Sequence, residues 1–277
     1  MAFLRRHIVA VFFGLTYAIS WGMWGWVAAA EGELTGWRGL AALFGAFGPA
    51  LAGLVCAGLL DGRSGVRALL SRLAAWRVRW TVTLAVFLGP LLLVLLPLGL
   101  HSLMGERAPD WGQLRRLPEL FPTFLSMLLI GGLTEEPGWR GFALPVLTRR
   151  HGPLAASLIL GFVWGLWHLP IYTLPALGDP LPVQALARFI LTTPLLAILF
   201  TALAEHSGQS VWMAMLFHAW VNTVSTRLPG LLGAPEGSGL AWLNLLVWLL
   251  AAAPFVASWL RAAPPPAREA AGLSAKT

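Results

Sequence analysis

The chain has 277 residues, of which 57% are hydrophobic and only 11% charged, with a mean hydropathy of +0.73. Soluble domains carry about 25% charged residues, so the composition excludes an ordinary soluble protein and points to a polytopic membrane chain, read as one bundle. The net charge of +7 is carried almost entirely by Arg, with Lys276 the only Lys, and in so apolar a chain it reads as membrane topology, with no nucleic-acid partner.

The N-terminal stretch MAFLRRHIVAVFFGLTYAISWGMW begins like a signal peptide. Its apolar run is too long and lacks a small-x-small cleavage site, so it is expected to be a retained first span. Apolar segments at 8–30, 38–60, 80–104, 119–136, 154–175, 183–204, 209–228 and 240–260 predict an all-α polytopic bundle of about eight transmembrane helices. With eight spans, Arg5, Arg6, Arg63, Arg67, Arg72, Arg77, Arg79, Arg149, Arg150, Arg261, Arg268 and Lys276 fall on one side. Arg38, Arg107, Arg115, Arg116 and Arg227 fall on the other, so the bias of twelve to five favours an N-in, C-in topology. Residues 1–262 are expected to form one transmembrane domain, with a motif-bearing core at about 119–228, and 263–277 a disordered Pro/Ala-rich tail. The single cysteine, Cys56, has no disulfide or metal-ligand partner in sequence and reads as a packing residue. The segment RSGVRALLSRLAAWRVRW, 63–80, spaces Arg at near-helical intervals among Leu, Ala and Trp. It reads either as a helix on an anionic leaflet or as an ordinary positive-inside loop.

Ionisable groups inside spans are costly and therefore informative. In GGLTEEPGWRGF, Glu136 and Arg140 lie four apart and can pair on one helix face, while Glu135 points elsewhere and has no such partner. A desolvated carboxylate of this kind suits general acid–base work; the plain alternative is a solvated helix end. Pro137 and Gly138 are expected to end or bend the helix. His168 shares a face with Gly161 and Gly165, which permit close helix approach. His218 and Asn222 lie four apart and so share a face; they can donate to a developing oxyanion, supply metal ligands, or serve as interhelical packing. Three spans thus offer polar groups on small-residue stripes that could meet in one pocket.

In order, EEPGWR (135–140), WGLWH (164–168) and HAWVN (218–222) resemble the motifs of the CPBP family, which groups type II CAAX prenyl endopeptidases with bacteriocin-processing or immunity proteins. The resemblance covers about residues 119 to 225, with Trp164 standing where the family commonly has Phe. It implies an intramembrane protease cutting a peptide bond near the cytoplasmic face. Glu135 would activate water with help from His168, while His218 and Asn222 stabilise the oxyanion and Glu136 and Arg140 give structural support. The family has also been read as zinc-dependent, in which case Glu135, His168 and His218 would be the ligands; the residues alone leave cofactor-free and zinc chemistry open.

The expected substrate is a peptide or membrane-protein segment. The Arg- and Ala-rich composition suggests a bacterial inner-membrane protein cutting a leader or bacteriocin-like peptide and not a prenylated CAAX tail. A non-catalytic immunity or scaffold protein binding a partner in the same cavity is the alternative, and a transporter or proton relay is a third reading.

Overall fold

A computed structural model describes residues 2–30, 32–234 and 238–262, and those residues contain helices and no strand. The expected tail at 263–277 lies outside the described residues. In chain order the long helices are α1 (Ala2–Ala29), α2 (Gly36–Ala46), α3 (Gly48–Leu73) and α4 (Trp80–Leu103). A 3-10 stretch, Trp111–Leu120, then leads into α5 (Phe121–Met127), α6 (Leu133–Gly138) and α7 (Leu144–Trp167). The short α8 (Leu169–Thr173) is followed by α9 (Val183–His206), α10 (Val211–Leu231) and α11 (Ser238–Arg261). Among the described residues five helical runs are long and apolar enough to cross a membrane, or six if the pair α2 and α3, bent by 48°, is one span.

Two glycines decide where long apolar runs bend. Gly62 (φ +59°) reverses the backbone inside α3, and Gly152 (φ +77°) does so inside α7. Both lie in the left-handed region that side chains other than glycine resist. The expected segment at 154–175 is not one helix. It stops at Trp167, with His168 as its cap, because Pro170 has no N–H to bond the Leu166 carbonyl and its ring crowds that oxygen. The segment at 119–136 does not end at Pro137 either. The chain stays helical from Phe121 onward through wide π turns at Leu128–Gly132 and Trp139–Ala143, so Pro137 only redirects it.

Small residues set the helix contacts that surround this irregular stretch. A Cβ on Gly138 would run into the Pro49 carbonyl, which brings α6 against α3. Gly161 and Gly165 lie on Pro194 and Thr193, which brings α7 close against α9. Gly131 and Gly132 let the first π turn seat on His218 and Met215 of α10. Aromatic rings fill the space between, with Phe12, Trp24, Trp139 and Trp167 fully buried. Residues 134–144 are all buried although they hold two carboxylates and a guanidinium, so the solvated-helix-end reading fails.

Candidate active site

The polar cluster is built on Glu136. Its Oε1 accepts from Arg140 Nη1 at 2.9 Å, the expected one-turn pair, and from His218 Nδ1 at 2.6 Å. Glu136 is fully buried, and a buried carboxylate is tolerable only when paired and hydrogen-bonded. The guanidinium carbon of Arg140 sits 4.2 Å from the Trp164 ring centre and 3.7 Å from that of Phe200, so two aromatic faces hold the cation.

Glu135 does not stand unpartnered. The indole Nε1 of Trp164 donates to its Oε2 at 2.6 Å, and its Oε1 lies 3.9 Å from His218 Nε2. His218 therefore bridges the two carboxylates: Nδ1 is spent on Glu136 and Nε2 faces Glu135. Trp164 in turn organises the cluster. Its N–H holds Glu135, its ring face covers Arg140, its carbonyl accepts from His168 Nδ1 at 2.8 Å, and its edge meets His218 with ring centres 5.7 Å apart.

His168 joins the cluster through Trp164. It makes no ion pair with either carboxylate among the described residues, and its ring packs on Tyr172 and on Phe189 of α9. Because Nδ1 donates to a carbonyl, the neutral ring has its lone pair on Nε2. Asn222 is half-buried one turn beyond His218. Gly131 faces both: a Cβ there would lie 2.9 Å from His218 Nε2 and 3.6 Å from Asn222 Nδ2. Side-chain groups of Glu135, Glu136, Arg140 and His218 are thus brought together, with His168 and Asn222 flanking them.

Among the described residues no three His, Cys, Asp or Glu are gathered to hold a zinc ion, while Glu135 Oε2, His168 Nδ1 and His218 Nδ1 are each engaged by a protein partner and the second polar atom of each is left to the cluster. A separate apolar cavity of about 670 Å³ runs along α4, lined by Val86, Leu93, Leu203, Phe217 and Leu250. Phe217 and Phe200 stand between it and the polar cluster, so the two are distinct.

Residues 117–224, which hold every member of the cluster, match the family described as type II CAAX prenyl endopeptidase Rce1-like. Through this segment the chain is similar to the Rce1-like family. The chain is also similar to CAAX prenyl protease 2 of Methanococcus maripaludis, 30% identical over 106 residues, covering 37% of this chain and 39% of that relative. The match spans well under half of the relative's length.

Within the Rce1-like segment, the sequence reading located the six polar residues but missed what Trp164 does. It treated Trp164 as an aromatic equivalent of Phe, whereas only the indole has an N–H to donate to Glu135. The available signal was that Trp in an apolar span has a donor needing a partner, and that Glu135 was the carboxylate without one. The second π turn, which places Arg140 between two aromatic rings, left no mark in the helical periodicity.

Proposed function

We propose that this protein is an intramembrane endopeptidase. The observation that carries the reading is a buried carboxylate, Glu135, held at one oxygen by Trp164 and presenting the other toward His218, inside a segment similar to the Rce1-like family. Water on the Oε1 side loses a proton to Glu135 as its oxygen attacks the peptide carbonyl carbon. His168, with its Nε2 lone pair free, shares that proton and passes it to the leaving nitrogen when the C–N bond breaks. The oxyanion of the tetrahedral intermediate is met by the Asn222 amide and by His218. The His218 ring lies between two carboxylates, so it can carry a proton on each nitrogen and donate from Nε2. Glu136 and Arg140 fix His218 and do no bond chemistry themselves. The surrounding apolar helices keep bulk water out, which strengthens each of these interactions.

The chain is read as an eight-span, N-in and C-in protein of a bacterial cytoplasmic membrane, acting on a peptide or membrane-protein segment. No step passes through a metal. The deciding experiment compares new peptide termini in membranes from cells that express the wild type or Glu135→Gln. Termini found only with the wild type establish the peptidase and reveal its substrate. Identical termini, with both proteins folded and inserted, would leave a non-catalytic immunity or scaffold protein.

A further inference from the structure

The Arg-rich segment after Gly62 plays no part in the cluster above, and its two faces differ. The reversal at Gly62 (φ +59°) turns the second arm of α3 back on the first, so that a Cβ on Gly65 would strike the Ala57 carbonyl. Gly65, Leu69 and Arg72 form the inner face of this arm. Leu69 is buried against Gly141, and Arg72 Nη1 donates to the Gly141 carbonyl at 2.9 Å. Arg63, Val66, Arg67 and Leu70 lie on the opposite face, spaced at three and four residues.

This outer face lines a cleft of about 570 Å³, open to the exterior, to which Gly58 of the first arm, Gly62 and Ser71 also contribute. Both Arg63 and Arg67 are exposed, and among the described residues no carboxylate pairs with either; the nearby Asp61 is taken by Arg5 at 3.0 Å. Leu70 is 48% exposed on the same face. A few residues on, Trp76 and Trp80 are 61% and 73% exposed, as expected of indoles at a membrane–water interface. Two guanidinium forks beside an apolar floor match a phosphodiester that continues into hydrocarbon.

We propose that the cleft at Gly62 is a binding site for an anionic phospholipid, its headgroup phosphate held by Arg63 and Arg67 and the start of its chains resting on Val66 and Leu70. The site does not depend on the peptidase reading. Its inner face braces the carbonyl of Gly141, next to Arg140, so lipid occupancy and the polar cluster share one helical arm.

The test is native mass spectrometry of the full chain in neutral detergent, titrated with phosphatidylglycerol or phosphatidylcholine. Each basic side chain near a membrane surface contributes enough that removing two weakens binding of an anionic lipid about 30-fold. The double variant Arg63→Gln/Arg67→Gln is expected to show that loss for phosphatidylglycerol. The variant Arg77→Gln/Arg79→Gln, which removes the same charge outside the cleft, is expected to bind like the wild type. Equal losses in both variants, equal wild-type affinity for the two lipids, or displacement of the lipid by excess inorganic phosphate would each overturn the proposal. A wild-type measurement covers the case of a variant that does not fold. Trypsin cleavage after Arg63 and Arg67 is expected to slow in phosphatidylglycerol nanodiscs relative to phosphatidylcholine nanodiscs, with cleavage after Arg77 unchanged. No such difference would also overturn the site.

Discussion

Trp164→Phe isolates the contact that the sequence did not reveal. The substitution keeps an aromatic ring over Arg140 and against His218 but removes the N–H that donates to Glu135 Oε2 at 2.6 Å. Glu135 is only 6% exposed, so water is poorly placed to replace the lost donor. A hydrogen bond to a charged group contributes about 1.5–3 kcal/mol, and a smaller ring under Arg140 weakens the cation–π contact by a few tenths more. Phe200 still covers the other face of the guanidinium. The expected loss is therefore about 2–3 kcal/mol, or roughly 4–10 °C in melting temperature by soluble-protein scaling. Cys56 supplies the assay: it is the sole cysteine and fully buried, so a thiol-reactive fluorophore reports unfolding in detergent. In a Glu135→Leu background, where the acceptor is gone, Trp164→Phe is expected to cost less than about 1 kcal/mol. The turnover number should fall by about 10- to 100-fold with little change in KM, since the loss is of base placement and not of substrate binding. A melting temperature and turnover equal to wild type, or full additivity with Glu135→Leu, would refute the assignment of Trp164 as the residue that holds Glu135.

Arg140→Ala leaves Glu136 charged and fully buried with only His218 as partner, and breaking a buried pair costs about 3–5 kcal/mol. Folded yield and melting temperature in detergent should both drop, and an unchanged melting point would mean the pair is solvated. Gly131→Ala places a methyl group 2.9 Å from His218 Nε2, so that ring must shift. Cleavage is expected to fall by about 10²-fold while the chain stays folded, and wild-type turnover would remove His218 Nε2 from the chemistry. Treatment with 1,10-phenanthroline or EDTA is expected to leave cleavage unchanged, because Glu135, His168 and His218 are not gathered as ligands. Loss of activity restored by added zinc would establish the zinc-dependent reading instead.

Much of this protein is legible along one dimension. The all-helical membrane class follows from composition and run length, since a bilayer admits only helices or closed barrels and continuous apolar runs of about 20 residues fit helices. Glu136 and Arg140 pair as their spacing of four requires, because a helix places such residues on one face. The glycines beside the polar groups mark close packing, as Gly161 on Pro194 and Gly131 on His218 bear out. The motif order also locates the cluster within residues 117–224. Partner choice between helices is not legible in this way. That Glu135 takes the indole of Trp164, that His218 turns Nδ1 to Glu136, and that His168 reaches the cluster only through a carbonyl all depend on how α6, α7 and α10 rotate against one another. Two π turns and the breaks at Gly62, Gly152 and Pro170 set those rotations. Each wide turn or break changes the rotation of everything that follows it, so a periodicity counted from the sequence loses phase there. Local pairing within four residues is therefore determined by the sequence alone, whereas the contacts between helices, on which the proposed chemistry rests, are decided only when the bundle closes.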